Sequence, residues 1–134
     1  MKLNLDTIII FVQSVDKLKL FYVDILNLTI VEESKSEWLL LNAGNCKIGL
    51  HKIGDQYLDE SKGEFKFYNN TKIVFEIDED INNVRERLLA KNVIIKEVKT
   101  FDNYNYWLCD GEDPEGNVFQ LKQKKPKQKL TGQL

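Results

Sequence analysis

Few residues in this chain can do chemistry, and the one that poses the sharpest question is Gln120. The run Val118-Phe119-Gln120-Leu121 alternates as a strand does, so the Gln120 amide points away from Phe119 and Leu121. A site on that face would find there an uncharged hydrogen-bonding group that cannot titrate. His51 is the single histidine, and its charge is adjustable near neutral pH. It suits a base or a hydrogen-bond partner, or it is an exposed strand-end residue with no role. Trp38 and Trp107 offer flat faces that stack aromatic or cationic groups, or large apolar bodies for a core. The acids Glu32-Glu33 and Asp110/Glu112/Asp113 fall at expected strand ends and in a turn, where solvated charge is the default. Cys46 and Cys109 lie far apart without CxxC spacing and read as reduced thiols. GxGxxG, P-loop, GxSxG and HExxH patterns are absent.

The elements that must carry these residues come as a repeat. Residues 7–33, TIIIFVQSVDKLKLFYVDILNLTIVEE, lie over residues 72–98, KIVFEIDEDINNVRERLLAKNVIIKEV, without a gap. Each begins with a β-rich run and continues into a helix. The helical spacing is carried by Val15, Leu18, Phe21/Tyr22 and Ile25 in the first copy, and by Ile81, Val84 and Leu88 in the second. Ser14 and Asp80 are expected N-caps, and Asn27 and Asn92 suit the left-handed conformation at a helix end. A strand follows in both, LTIVEES and VIIKEVK. EWLLLNAGN around Trp38 then parallels YWLCDGEDPEGN around Trp107, and each copy closes with a last strand, CKIGLHK or NVFQLKQ. Asp113-Pro114-Glu115-Gly116 has the residues of a type I turn.

The chain is therefore expected to be α+β, with two βαβββ modules at about 5–51 and 71–122. A linker spans 52–70 and a basic tail 123–134. Phe65-Lys66-Phe67 in the linker reads as a loop or a short added strand. One helix covers only one face of its sheet. Two modules pairing their free faces would form a cup-shaped sheet with a small-molecule site.

Paired βαβββ units, the helix segment SVDKLKLFYVDILNL and the turn DPEGNVFQL resemble the glyoxalase/bleomycin-resistance/dioxygenase superfamily, the vicinal oxygen chelate fold. The resemblance covers the chain apart from linker and tail. Asn27 stands where that family most often has Gly. Metal-dependent members place ligands on the first and last strand of each module, and the matching positions here are Thr7, Gly49, Lys72 and Gln120. Glycine offers no side-chain donor, an ammonium has no lone pair, and an amide is a weak ligand for divalent ions. The resemblance thus implies a cup without the superfamily metal and without a cofactor. Gln120 is then the vestige, or the replacement, of a metal-binding carboxylate. His51, two residues beyond Gly49, shares its face and reaches toward the cup; Ile9, Phe11, Val74 and Glu76 line it by alternation. The candidate ligand-binding residues are His51, Lys72, Glu76, Gln120, Trp38 and Trp107, with Tyr104, Tyr106, Tyr57 and Tyr68 enriching the rim.

By that resemblance the protein captures a small molecule, cationic or aromatic, as a homodimer with a shared cup. The alternative is an enzyme, a lyase, isomerase or dioxygenase relative, using a divalent metal or His51 as general base. Composition fits either: 43% hydrophobic and 30% charged residues are ordinary globular values. No apolar run approaches a membrane span and the N-terminus reads as a strand, so the expected location is the cytoplasm with no membrane partner. The net charge of −2 hides an asymmetry: residues 122–134 carry five lysines and no acid, on a body, residues 1–121, of −7. That acidic body is compatible with a cationic ligand, and the tail reads as a solvated end with no nucleic-acid partner.

Overall fold

The computed structural model describes residues 1–2, 4–54 and 71–127. Phe65-Lys66-Phe67, Tyr57, Tyr68 and the end of the basic tail lie outside the described residues. The elements are β1 (Thr7–Val12), α1 (Val15–Lys19) with a π-helical continuation (Leu20–Ile25), β2 (Thr29–Ser34), β3 (Trp38–Ala43) and β4 (Cys46–Lys52). The second copy follows as β5 (Lys72–Ile77), α2 (Ile81–Ala90), β6 (Ile94–Ile95), β7 (Tyr106–Glu112) and β8 (Val118–Lys124). Each copy forms its own four-stranded mixed sheet, in the orders β1-β4-β3-β2 and β5-β8-β7-β6. In both, the first strand runs parallel to the last and the remaining pairs are antiparallel. These are two βαβββ modules, and the repeat in the sequence is a repeat in topology. None of the described helices is long and apolar enough to cross a membrane.

The chain divides into two compact units. The first takes Met1–Asn69 together with Asp113–Asn117, and the second takes Asn70–Glu112 and Val118–Leu134. In the first unit Val12, Val15, Leu18, Phe21, Tyr22, Leu39, Leu41, Ile48 and Leu50 are buried between helix and sheet. In the second the same layer is built from Ile81, Val84, Leu88, Cys109, Phe119 and Leu121. Local signals set the helix ends. Ser14 Oγ accepts from Lys17 N at 3.2 Å, and Asp80 Oδ1 accepts from Asn82 N at 2.9 Å and Asn83 N at 3.1 Å. Asn27 and Asn92 both take left-handed φ, at 63° and 62°.

Two elements depart from expectation. The first helix does not stay α-helical: Leu26 N donates to Phe21 O at 3.0 Å, the i→i−5 bond of a π turn. Phe21 and the adjacent Tyr22 are both buried there, edge to face at 4.9 Å. The expected strand VIIKEVK is reduced to the two residues of β6. Beyond it Lys96 N reaches Asp110 O, and an isolated bridge joins Lys99 to Leu108. An edge of this kind pairs only where tertiary contact allows.

Candidate functional site

Pleat alternation leaves one face of each sheet turned away from its helix. In the first unit that face carries Thr7, Ile9 and Phe11 of β1, Lys47, Gly49 and His51 of β4, and Trp38 and Leu40 of β3. The register pairs Ile9 with Gly49, Phe11 with His51, and Trp38 with His51. Gly49 makes room for the Trp38 indole: a Cβ at Gly49 would lie 2.4 Å from the far edge of the ring. The indole therefore lies across the sheet over a bare backbone. His51 sits 6.0 Å from it and Phe11 sits 5.5 Å from His51, centroid to centroid. Ile9 and Phe11 are about half exposed, at 48% and 56%. Exposed apolar side chains grouped beside aromatic rings mark a binding surface more than a core.

Two polar contacts orient this patch. Trp38 Nε1 donates to Glu32 Oε1 at 3.3 Å, which sets a carboxylate at the indole edge. His51 Nδ1 lies 2.7 Å from the Lys52 carbonyl. A carbonyl only accepts, so Nδ1 carries the proton and the Nε2 lone pair of the neutral ring is left for another partner.

The corresponding face of the second unit is polar. Lys72, Val74 and Glu76 come from β5, Gln120 and Lys122 from β8, and Asp110 from β7 opposite Gln120. Asp110 was expected to be a solvated strand-end acid, but it is 9% exposed. Its Oδ2 meets Lys72 Nζ at 2.9 Å and Lys99 Nζ at 3.6 Å, and its Oδ1 accepts from Gln120 Nε2 at 2.8 Å. Gln120 and Lys72 are thus brought together, through an acid that composition and turn position had assigned to solvent. Asp110 was findable: the tight turn after β7 forces Glu112 opposite Val118, and counting back two residues puts Asp110 on Gln120. Glu76 stands in register with Lys122 on the same face and is exposed.

Burial alone would raise the Asp110 carboxyl pKa. The hydrogen bonds from Lys72 and Gln120, with the charges of Lys72 and Lys99, outweigh it and hold the group below its ordinary 3.8. A depressed carboxyl pKa stabilises the fold at pH above the unfolded value, and that contribution is lost as pH falls through the lower folded value. Lys72→Met should therefore lower the urea midpoint by a constant amount from neutral pH down to about 4, with the gap closing below. A gap unchanged through the acid range would refute the pairing.

Trp107 is placed differently from Trp38. It pairs with Gln123, whose Oε1 accepts from Ile81 N at the start of α2, so Trp107 lies on the helix side of its sheet, opposite to Gln120. The two tryptophans do not occupy equivalent positions; the hairpins are offset by one residue, which reverses the face. Tyr106, next to it, shares the face of Gln120, with Lys122 Nζ 4.1 Å from its ring centroid.

Asp113 in the turn was also expected in solvent; it is buried, and so is Glu115. Gly116 N donates to Asp113 O at 2.9 Å, closing the turn that the sequence spells. Asp113 is 3% exposed and Glu115 is 2% exposed. Glu115 accepts from Gln13 N at 2.7 Å and Ser14 N at 2.8 Å, so it holds the entrance to α1. Burial pushes its pKa up, against those two backbone donors.

The positions matching a metal site do not suit a divalent ion. Thr7 donates its hydroxyl to Asp6, and the space at Gly49 is filled by the Trp38 ring. The Lys72 ammonium and the Gln120 amide both face Asp110. Among the described residues no three His, Cys, Asp or Glu side chains group as metal ligands.

No family model and no curated protein sequence matches this chain. Solved structures do. Lactoylglutathione lyase from Agrobacterium tumefaciens superposes with a TM-score of 0.72 at 13% identity, over 92% of this chain and 95% of that one. An antibiotic binding protein from Streptomyces gives 0.70 at 18% identity, over 92% and 98%. An integron cassette protein from V. Pseudocholerae gives 0.70 at 23% identity, over 94% and 98%. At these identities the likeness establishes the fold.

Proposed function

We propose that this chain, which has the fold of the glyoxalase and bleomycin-resistance proteins, captures a small flat molecule, aromatic or cationic, without a metal and without transforming it. The observation that carries this reading is the Trp38 indole laid over Gly49, flanked by His51 and Phe11 with Glu32 at its edge. A ring or a cation on such a surface gains about 0.5–2 kcal/mol per aromatic contact, more where water is excluded. The Streptomyces relative in fold is an antibiotic binding protein, which supports capture as a use of this scaffold. On the second unit, taken by itself, Glu76 is an exposed carboxylate, and Lys72 and Gln120 form a self-neutralised polar patch around Asp110. We further propose that it works as a cytoplasmic homodimer.

The test uses the Trp107→Phe variant, which leaves Trp38 as the sole tryptophan. Titration with a panel of planar cations and aromatic drugs should change its fluorescence saturably. Trp38→Ala should weaken binding by about tenfold or more. Binding that survives Trp38→Ala undiminished would sink the proposal.

A second reading rests on the tautomer of His51, whose unprotonated Nε2 is the atom a general base needs. Under it, a ligand found in the same panel is converted to product, and His51→Ala abolishes conversion while binding persists.

A further inference from the structure

A second group of aromatic and charged residues lies in the second unit, at the end of its sheet where β7 begins and β8 leaves. It borders an open hollow of about 830 Å³, lined by the loop before β7 and the segment after β8. That volume falls in the range of small-molecule sites. Its lining includes Asn103, Tyr104, Trp107, Lys124, Lys125 and Lys127. None of the residues lining it is acidic. Glu76 and Asp78 border a neighbouring hollow beyond Lys124, which leaves Lys125 and Lys127 as the less opposed charges. Among the described residues none of the three lysines is in an ion pair.

The walls are fixed to the fold. Lys125 N donates to Asn105 O at 2.7 Å, tying the departing chain to the loop. Thr100 Oγ1 donates to Tyr106 O at 2.8 Å, and Tyr104 N donates to Phe101 O at 3.2 Å. Asn103 takes a left-handed φ of 61°, which turns the loop back. Phe101, Tyr104 and Tyr106 continue as a ladder of rings 6.0 and 5.7 Å apart. Trp107, 37% exposed, carries the Lys125 ammonium 4.7 Å from its ring centroid.

We infer that this pocket binds a planar aromatic ring bearing a phosphate, the chemistry a nucleotide offers. Lys125 and Lys127 line the pocket with no acid among its residues, and an anion complements their charge. Exposed tryptophan and tyrosine stack any base, because every base has a π-face. The Asn103 side-chain amide can donate to and accept from a base edge. A planar cation is disfavoured, because Lys125 and Lys127 already place positive charge around the rings. The ligand class is therefore opposite in charge to that proposed for the Trp38 face, and the site does not depend on that reading.

The experiment titrates the full chain, as the Trp38→Phe variant, with AMP, GMP, CMP and UMP at low salt. Trp107 fluorescence is the readout. The matching nucleosides, ribose 5-phosphate and a short labelled oligothymidylate run in parallel. At least one nucleotide should bind saturably, and both its nucleoside and ribose 5-phosphate should bind more weakly. Lys125→Glu is a surface change that leaves the core intact, and it should weaken nucleotide binding by about tenfold or more. Trp38→Ala, read by calorimetry, should leave it unchanged. No saturable binding by any nucleotide at millimolar concentration overturns the inference. So does a nucleoside that binds as tightly as its nucleotide, and so does binding of the oligonucleotide alone.

Discussion

Asp113→Ala should cost about 3 kcal/mol or more of folding stability, a large share of what a domain this size has in total. The carboxylate is buried and accepts four hydrogen bonds. Glu115 N and Asn117 N reach Oδ1, each at 2.9 Å, and the Tyr22 hydroxyl and Asn117 Nδ2 reach Oδ2 at 2.7 and 2.8 Å. Truncation removes the acceptor and leaves the donors, and an unsatisfied buried donor costs about 1–3 kcal/mol. Tyr22 is fully buried, so its hydroxyl has no water to turn to. Burial first, and Asp113 second, push the phenol pKa well up, so it stays a donor across the working pH range. Tyr22→Phe removes one donor and keeps the acceptor, so it should cost less than Asp113→Ala. Urea unfolding of parent and both variants checks the order. A loss under about 1 kcal/mol for Asp113→Ala would mean that the turn is solvated after all.

Gly111→Ala should be the more damaging of two glycine substitutions. A Cβ at Gly111 would meet the Phe119 ring at 2.5 and 2.8 Å and the Ile94 carbonyl at 3.1 Å. Phe119 is fully buried, and Ile94 is backbone in the neighbouring strand, so neither has room to retreat. Overpacking of that kind costs about 1–3 kcal/mol, and the upper end is expected here. Gly49→Ala is closer still, at 2.4 Å, but its contact is the tip of the half-buried Trp38 ring. That ring can swing outward. Gly49→Ala should therefore spare stability and impair ligand capture, while Gly111→Ala does the reverse of sparing stability. Paired urea melts and fluorescence titrations separate the two. Equal stability losses would show that the Trp38 ring is held as tightly as Phe119.

The two glycines illustrate what a sequence hides. Gly49 reads only as a bare position on a strand, and nothing adjacent to it announces a tryptophan eleven residues earlier lying across it. Trp107 shows the same limit from the other side. Its surroundings, YWLCDG, align well with EWLLLN by eye, yet pairing with Gln123 turns it to the helix side of the sheet. With a side-chain period of two, a slip of one residue exchanges faces, and only the partner strand settles the slip.

The acids are the largest reversal. Asp110 and Asp113 carry every local mark of solvated charge, and both are buried, as is Glu115 beside them. Their donors come from Lys72, from Tyr22, and from the backbone at Gln13 and Ser14, up to 102 positions away in the chain. By itself the sequence determined the repeat, the two βαβββ modules, the helix caps at Ser14 and Asp80, the left-handed Asn27 and Asn92, and the tight turn at Asp113. Those depend on periodicity and on the φ preferences of single residues, which act over a few positions. The tertiary structure alone decided which charges are buried and paired, which face each tryptophan takes, and where the first helix widens into a π turn. Burial and pairing depend on groups distant in sequence, and no local pattern encodes them.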